Sequence, residues 1–118
     1  MSTTSTIKIQ VGLDENKWPE SIHWSATDNK EERMTKAKAM MVSFWDPAER
    51  AALRIDLWTK DMMVDEMADF FFETMMTMAD TFERATGEFG KAQANELRAY
   101  AKDFQGKLQA KLAEENKR

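Results

Sequence analysis

The sequence predicts an α+β domain in which a four-stranded antiparallel sheet, made of two hairpins, precedes two C-terminal helices packed on one face of the sheet. Two observations predict this fold. Between residues 6 and 59, apolar residues recur at every second position, the period of a half-buried strand. Beyond residue 60, they recur at every third or fourth position, the period of a helix. Strands followed by helices in this order are typical of α+β domains.

The first predicted hairpin begins with an alternating run and continues through a polar connection. Residues 14–21 contain Asn16, Pro19 and Ser21, which favour turns. Residues 27–36 are polar and irregular and fit either a loop or one short helical turn. The apolar positions of the two strands are Ile7, Ile9, Val11 and Leu13, and then Ile22, Trp24 and Ala26.

The second predicted hairpin has its turn in "DPAER", residues 46–50, where Asp46 and Pro47 suit the first two turn positions. Before the turn, Met40, Val42 and Phe44 share one parity, while Met41 and Trp45 share the other. After the turn, Leu53, Ile55 and Leu57 alternate with Arg54, Asp56 and Trp58.

The first helix is predicted over about residues 62–86. Asp61 is expected as its N-cap, and Asp65 and Glu66 suit the positive end of the helix dipole. Gly87 is expected as the C-cap. The core-facing stripe is predicted to be Met67, Phe71, Met75, Met78 and Phe82.

The second helix is predicted over about residues 89–115, followed by a charged tail that frays. Gly106 costs a helix about 1 kcal/mol relative to alanine, so it marks either close packing or fraying. The expected apolar face is Leu97, Tyr100, Ala101, Phe104, Leu108 and Leu112.

Composition sets limits on function. The 118 residues fit one domain, 1–118, and the net charge of -4 disfavours nucleic acid and anionic membranes as partners. The absence of cysteine excludes disulfides and thiolate metal sites. The first ten residues do not resemble a secretory signal, and no apolar run approaches the roughly 20 residues of a membrane span. We therefore expect a cytoplasmic protein that does not insert into a membrane.

The polar residues give no catalytic pattern, so the sequence predicts no enzyme, no catalytic residue, no cofactor and no metal site. The single histidine, His23, is expected on the polar side of a strand, and no serine elbow accompanies it. A carboxylate stripe at a spacing of four residues would suit a basic partner, a divalent cation or simply solubility. This stripe consists of Asp61, Asp65, Asp69 and Glu73.

The sequence has more apolar residues than a two-layer domain of this size requires. Methionine and aromatic side chains are enriched at protein interfaces, although the same residues also fill gaps in a core. The residues that we predict to contact a protein partner are Trp45, Trp58, Phe70, Phe72 and Met76.

A family resemblance supports this interpretation. The segments "AKAMMVSFWD", "LRIDLWTKDMMVDEMADFF" and "MADTFERATG", together with the opening "IKIQVGLDENKWPESIHWSA", resemble the gliding motility-associated GldC family of Bacteroidetes. Met63 stands where that family has a proline. The resemblance implies a small accessory protein of gliding motility without catalysis. Its implied partners are components or lipoproteins of the gliding machinery, and it provides no binding residues to transfer.

The predicted element order is also similar to that of the export chaperone SecB, although no sequence motif is shared. This similarity of plan suggests an alternative function, an oligomeric chaperone that binds unfolded or exported client proteins. Under either hypothesis we expect a homo-oligomer.

Overall fold

The computed structural model of the chain describes residues 3–27 and 34–116. The chain divides into two compact units, Met1–Met62 and Met63–Arg118. The first unit contains the strands and the second contains the helices, so the predicted α+β class is confirmed. The prediction that the chain forms one domain stays a prediction.

The first unit begins with a three-stranded antiparallel sheet in the order β1-β2-β3. Its strands are β1 (Ile7–Leu13), β2 (Pro19–Ala26) and β3 (Thr35–Ala37). The predicted connection between β1 and β2 is a tight turn in which Asp14 Oδ1 accepts hydrogen bonds from the backbone N–H groups of Asn16 and Trp18. The predicted loop or helical turn lies mainly in residues 28–33, outside the described residues, and β3 was not predicted.

The second sheet of this unit is a hairpin of β4 (Ala39–Asp46) and β5 (Ala51–Trp58). The predicted turn chemistry is confirmed: Asp46 Oδ1 accepts the Ala48 N–H at 3.0 Å, and the Asp46 carbonyl accepts the Arg50 N–H at 2.8 Å. Arg50 takes a positive φ of 52°, which closes the turn.

The prediction of one four-stranded sheet is wrong. A bend at Lys38 divides the extended run from Thr35 to Asp46. As a result, the part before the bend pairs with β2 and the part after it pairs with β5. Packing of the helices on one sheet face and the SecB-like order stay predictions.

The second unit begins with α1 (Val64–Thr86), whose start differs from the prediction. Asp61 is not the N-cap; that position is Met63. The Glu66 carboxylate accepts the Met63 backbone N–H at 3.0 Å and so satisfies one donor at this end of the helix. Asp61 instead accepts a hydrogen bond from the Thr59 hydroxyl. The carboxylate stripe on the helix therefore starts at Asp65.

The end of α1 agrees with the prediction. Gly87 is the C-cap, with a positive φ of 64°, and its N–H donates to the Glu83 carbonyl. A short 3-10 helix, Gly87–Gly90, then leads into α2 (Lys91–Glu115). Neither helix described in residues 64–115 combines the length and the apolar character needed to cross a bilayer.

The two helices run antiparallel, because Phe71 contacts Phe104 while Asp80, further along α1, contacts Arg98. The seam between them is narrow. Among the described residues of this unit, its fully buried side chains are Ala79, Ala94 and Ala101. The predicted core stripe of α1 is wrong at three of its five positions, since Phe71, Met78 and Phe82 are all more than two-fifths exposed. Its other two members, Met67 and Met75, are half-buried. The predicted face of α2 fits better, with Ala101 buried and Tyr100 as its exposed exception.

Candidate interaction surface

The segment that follows β5, residues 59–61, is held by hydrogen bonds and an ion pair, and we call it the corner. Thr59 is 2% exposed, and its N–H and hydroxyl both donate to the Lys38 carbonyl, at 2.8 and 3.1 Å. The single hydroxyl proton is shared with the Asp61 carboxylate, and this hydrogen bond lowers the pKa of the Asp61 carboxyl. Thr59 thus fastens the end of β5 to the bend at Lys38.

Lys60 connects the corner to the first sheet through an ion pair and a backbone hydrogen bond. Its Nζ lies 2.7 Å from Asp14 Oδ2, and its backbone N–H donates to the Pro19 carbonyl at 3.3 Å. The ammonium group holds the pKa of Asp14 below its usual value, and the carboxylate raises the pKa of Lys60. Thr59, Lys60 and Asp61 each make a structural contact here, so we assign the corner to stability.

The β4–β5 hairpin has one face that is apolar over three successive cross-strand pairs and ends at Asp46 beside the turn. The register pairs Met40 with Leu57, Val42 with Ile55, and Phe44 with Leu53, and residues paired across two strands lie on the same face. We call this the aliphatic face. Its outer members, Phe44, Leu53 and Ile55, are each at least half exposed.

The opposite face carries both of the predicted tryptophans, and we call it the tryptophan face. Trp45 pairs with Ala52 near the turn and is 61% exposed, whereas Trp58 pairs with Ala39 at the other end and is 56% exposed. The Arg50 guanidinium lies 5.9 Å from the centre of the Trp45 ring, a distance at which cation–π attraction operates. Between the tryptophans, Arg54 and Asp56 form an ion pair at 2.9 Å.

Both edges of the hairpin are also open along most of their length. In the part of the chain that the structure describes, β4 and β5 pair only with each other. An open strand edge offers unpaired N–H and C=O groups to a further strand. The hairpin therefore presents one largely apolar face, one face with two tryptophans around the Arg54–Asp56 ion pair, and two open edges. Together these features suit recognition of another polypeptide.

The predicted contact residues on α1 are placed differently. Phe70, Phe72 and Met76 are all half-buried within the helical unit. Their role in partner binding stays a prediction. The structure thus places two of the five predicted residues, Trp45 and Trp58, on one exposed face of one hairpin.

The exposed members of the aliphatic face were missed as candidates, although the sequence held a signal. In β4, apolar residues occupy both parities, with Val42 and Phe44 on one and Met41 and Trp45 on the other. A strand that is apolar on both sides is normally covered on both sides. In the predicted two-layer fold, the helices cover only one face of the sheet. The apolar residues on the other face of β4 therefore already required a partner.

The remaining polar candidates do not converge on a site. His23 lies beside Gln10 and Lys36 on the polar side of the first sheet, as predicted. Across residues 3–27 and 34–116, no three histidine, aspartate or glutamate side chains come together as a metal-binding group.

The family comparison agrees with the resemblance found in the sequence. Residues 19–110 match the family described as gliding motility-associated protein GldC-like, which is not known as an enzyme family. No curated protein and no solved structure matches the chain. The matched region includes β2, both strands of the hairpin, α1 and most of α2. The chain therefore belongs to the GldC-like family of gliding motility-associated proteins.

Proposed function

We propose that this protein is a non-enzymatic accessory protein of gliding motility that binds a protein partner through the β4–β5 hairpin. Membership of the GldC-like family gives the association with motility. The observation that carries the binding proposal is the pair of exposed tryptophans on one hairpin face. Tryptophan dominates the energetics of many protein interfaces because it offers a large, rigid contact area.

The chemistry of the surface defines the partner. An apolar segment with a basic or amide side chain would cover Trp45 and Trp58 and meet the Arg54–Asp56 ion pair between them. Phe70, Phe72 and Met76 add a second set of proposed contacts. We propose that the partner is a component of the gliding machinery, or one of its lipoproteins, and that binding takes place in the cytoplasm.

Matched tryptophan variants test this proposal. Trp18, in the turn between β1 and β2, is 62% exposed and lies outside the hairpin, so Trp18→Glu is the control for Trp45→Glu and Trp58→Glu. Each tagged variant is purified from its own cells, and the bound proteins are quantified by mass spectrometry. We expect one or two stoichiometric partners with the wild type and with Trp18→Glu. Both hairpin variants should lose them by at least about tenfold, since a desolvated charge opposes binding. Retention by folded Trp45→Glu and Trp58→Glu would contradict the proposal.

The exposed aliphatic face and the open edges also favour a second candidate function, the SecB-like chaperone. An extended client segment adds to an open strand edge through backbone hydrogen bonds and places alternate side chains on an apolar face. The purified protein would then slow the aggregation of several unrelated unfolded proteins. It would also capture a long, substoichiometric set of proteins in the same purification, whereas an adaptor captures one or two.

A further inference from the structure

We draw no further inference here: the strongest candidate, the aromatic surface patch of the α1–α2 pair around Phe71, Tyr100 and Phe104, carries none because nothing in the structure shows what covers it.

Discussion

Lys60 Nζ lies 2.7 Å from Asp14 Oδ2, a contact between residues separated by 46 positions in the chain. It joins the end of the hairpin to the turn between β1 and β2, where the other carboxylate oxygen of Asp14 already holds two backbone N–H groups. A single aspartate therefore organises a turn and anchors a distant strand.

This contact predicts how stability depends on pH. The pKa of Asp14 is lowered in the folded chain, so its contribution to the free energy of unfolding is present above its ordinary pKa of 3.8. That contribution is lost as the pH falls through the lowered value. Asp14→Asn should reduce the urea midpoint at pH 7 and change it much less at a pH below the lowered pKa of Asp14. Equal reductions at both pH values would show that the charge of Asp14 has no part in the effect.

Lys60 gives the complementary prediction on the alkaline side. Its pKa is raised above 10.5, so its contribution persists at neutral pH and is lost as the pH rises through the raised value. Lys60→Met removes the ammonium group and keeps much of the apolar stem. The variant should have a lower urea midpoint than the wild type at pH 7, and the two midpoints should converge as the pH rises through the raised pKa of Lys60. Lys107, paired only within α2, provides the control: Lys107→Met should change the midpoint little.

The buried hydroxyl of Thr59 gives a third prediction. Thr59→Val keeps the shape of the side chain but removes the donor to the Lys38 carbonyl and Asp61. Loss of a buried hydrogen-bonding partner costs about 1–3 kcal/mol. The free energy of unfolding, measured by urea denaturation, should fall by that amount. Thr59→Ser retains the hydroxyl and should lose less than Thr59→Val; if serine costs as much as valine, the hydroxyl is not responsible.

The two helix glycines predict opposite effects of one substitution. Gly87 has a φ of 64° and a ψ of -141°, a conformation open mainly to glycine, so Gly87→Ala should destabilise the chain by about 1–3 kcal/mol. A Cβ at Gly106 would meet no atom within 4 Å, so close packing does not require glycine there. Gly106→Ala should stabilise α2 by up to about 1 kcal/mol. Thermal unfolding followed by circular dichroism measures both changes, and a shift of the same sign in both variants would contradict this explanation.

Local chemistry in the sequence predicted much of the fold. Asp46 with Pro47 marked the hairpin turn, Gly87 marked the helix end, and alternating residues located β1, β2, β4 and β5. The first residue of α1 was harder to predict, because Asp61 and Glu66 both carry a carboxylate that can cap a helix. Their roles depend on the Thr59 hydroxyl, which binds Asp61 and leaves Glu66 to accept the Met63 N–H.

Two other features, the bend at Lys38 and the buried seam of α1, could not be predicted from the spacing of apolar residues. The bend at Lys38 has no glycine or proline to mark it in the sequence. The strand before the bend, β3, has only three residues, too few to show an alternation of apolar and polar side chains. On α1, the large side chains defined a stripe about 80° from the true seam, because the seam is occupied by small alanines. For the candidate site, the sequence analysis named Trp45 and Trp58 and did not name the exposed residues of the aliphatic face.

The open hairpin also has a consequence for solubility. From Ala39 to Trp45 the chain carries no charge and no proline, and such β-rich segments on open edges are prone to ordered aggregation. Arg54 and Asp56 lie across from this segment on β5, and charged side chains next to an apolar strand generally oppose edge-to-edge stacking. Neutralising that pair is expected to promote fibril formation during overexpression. Binding of the proposed partner to the hairpin would cover this segment and is expected to suppress the aggregation.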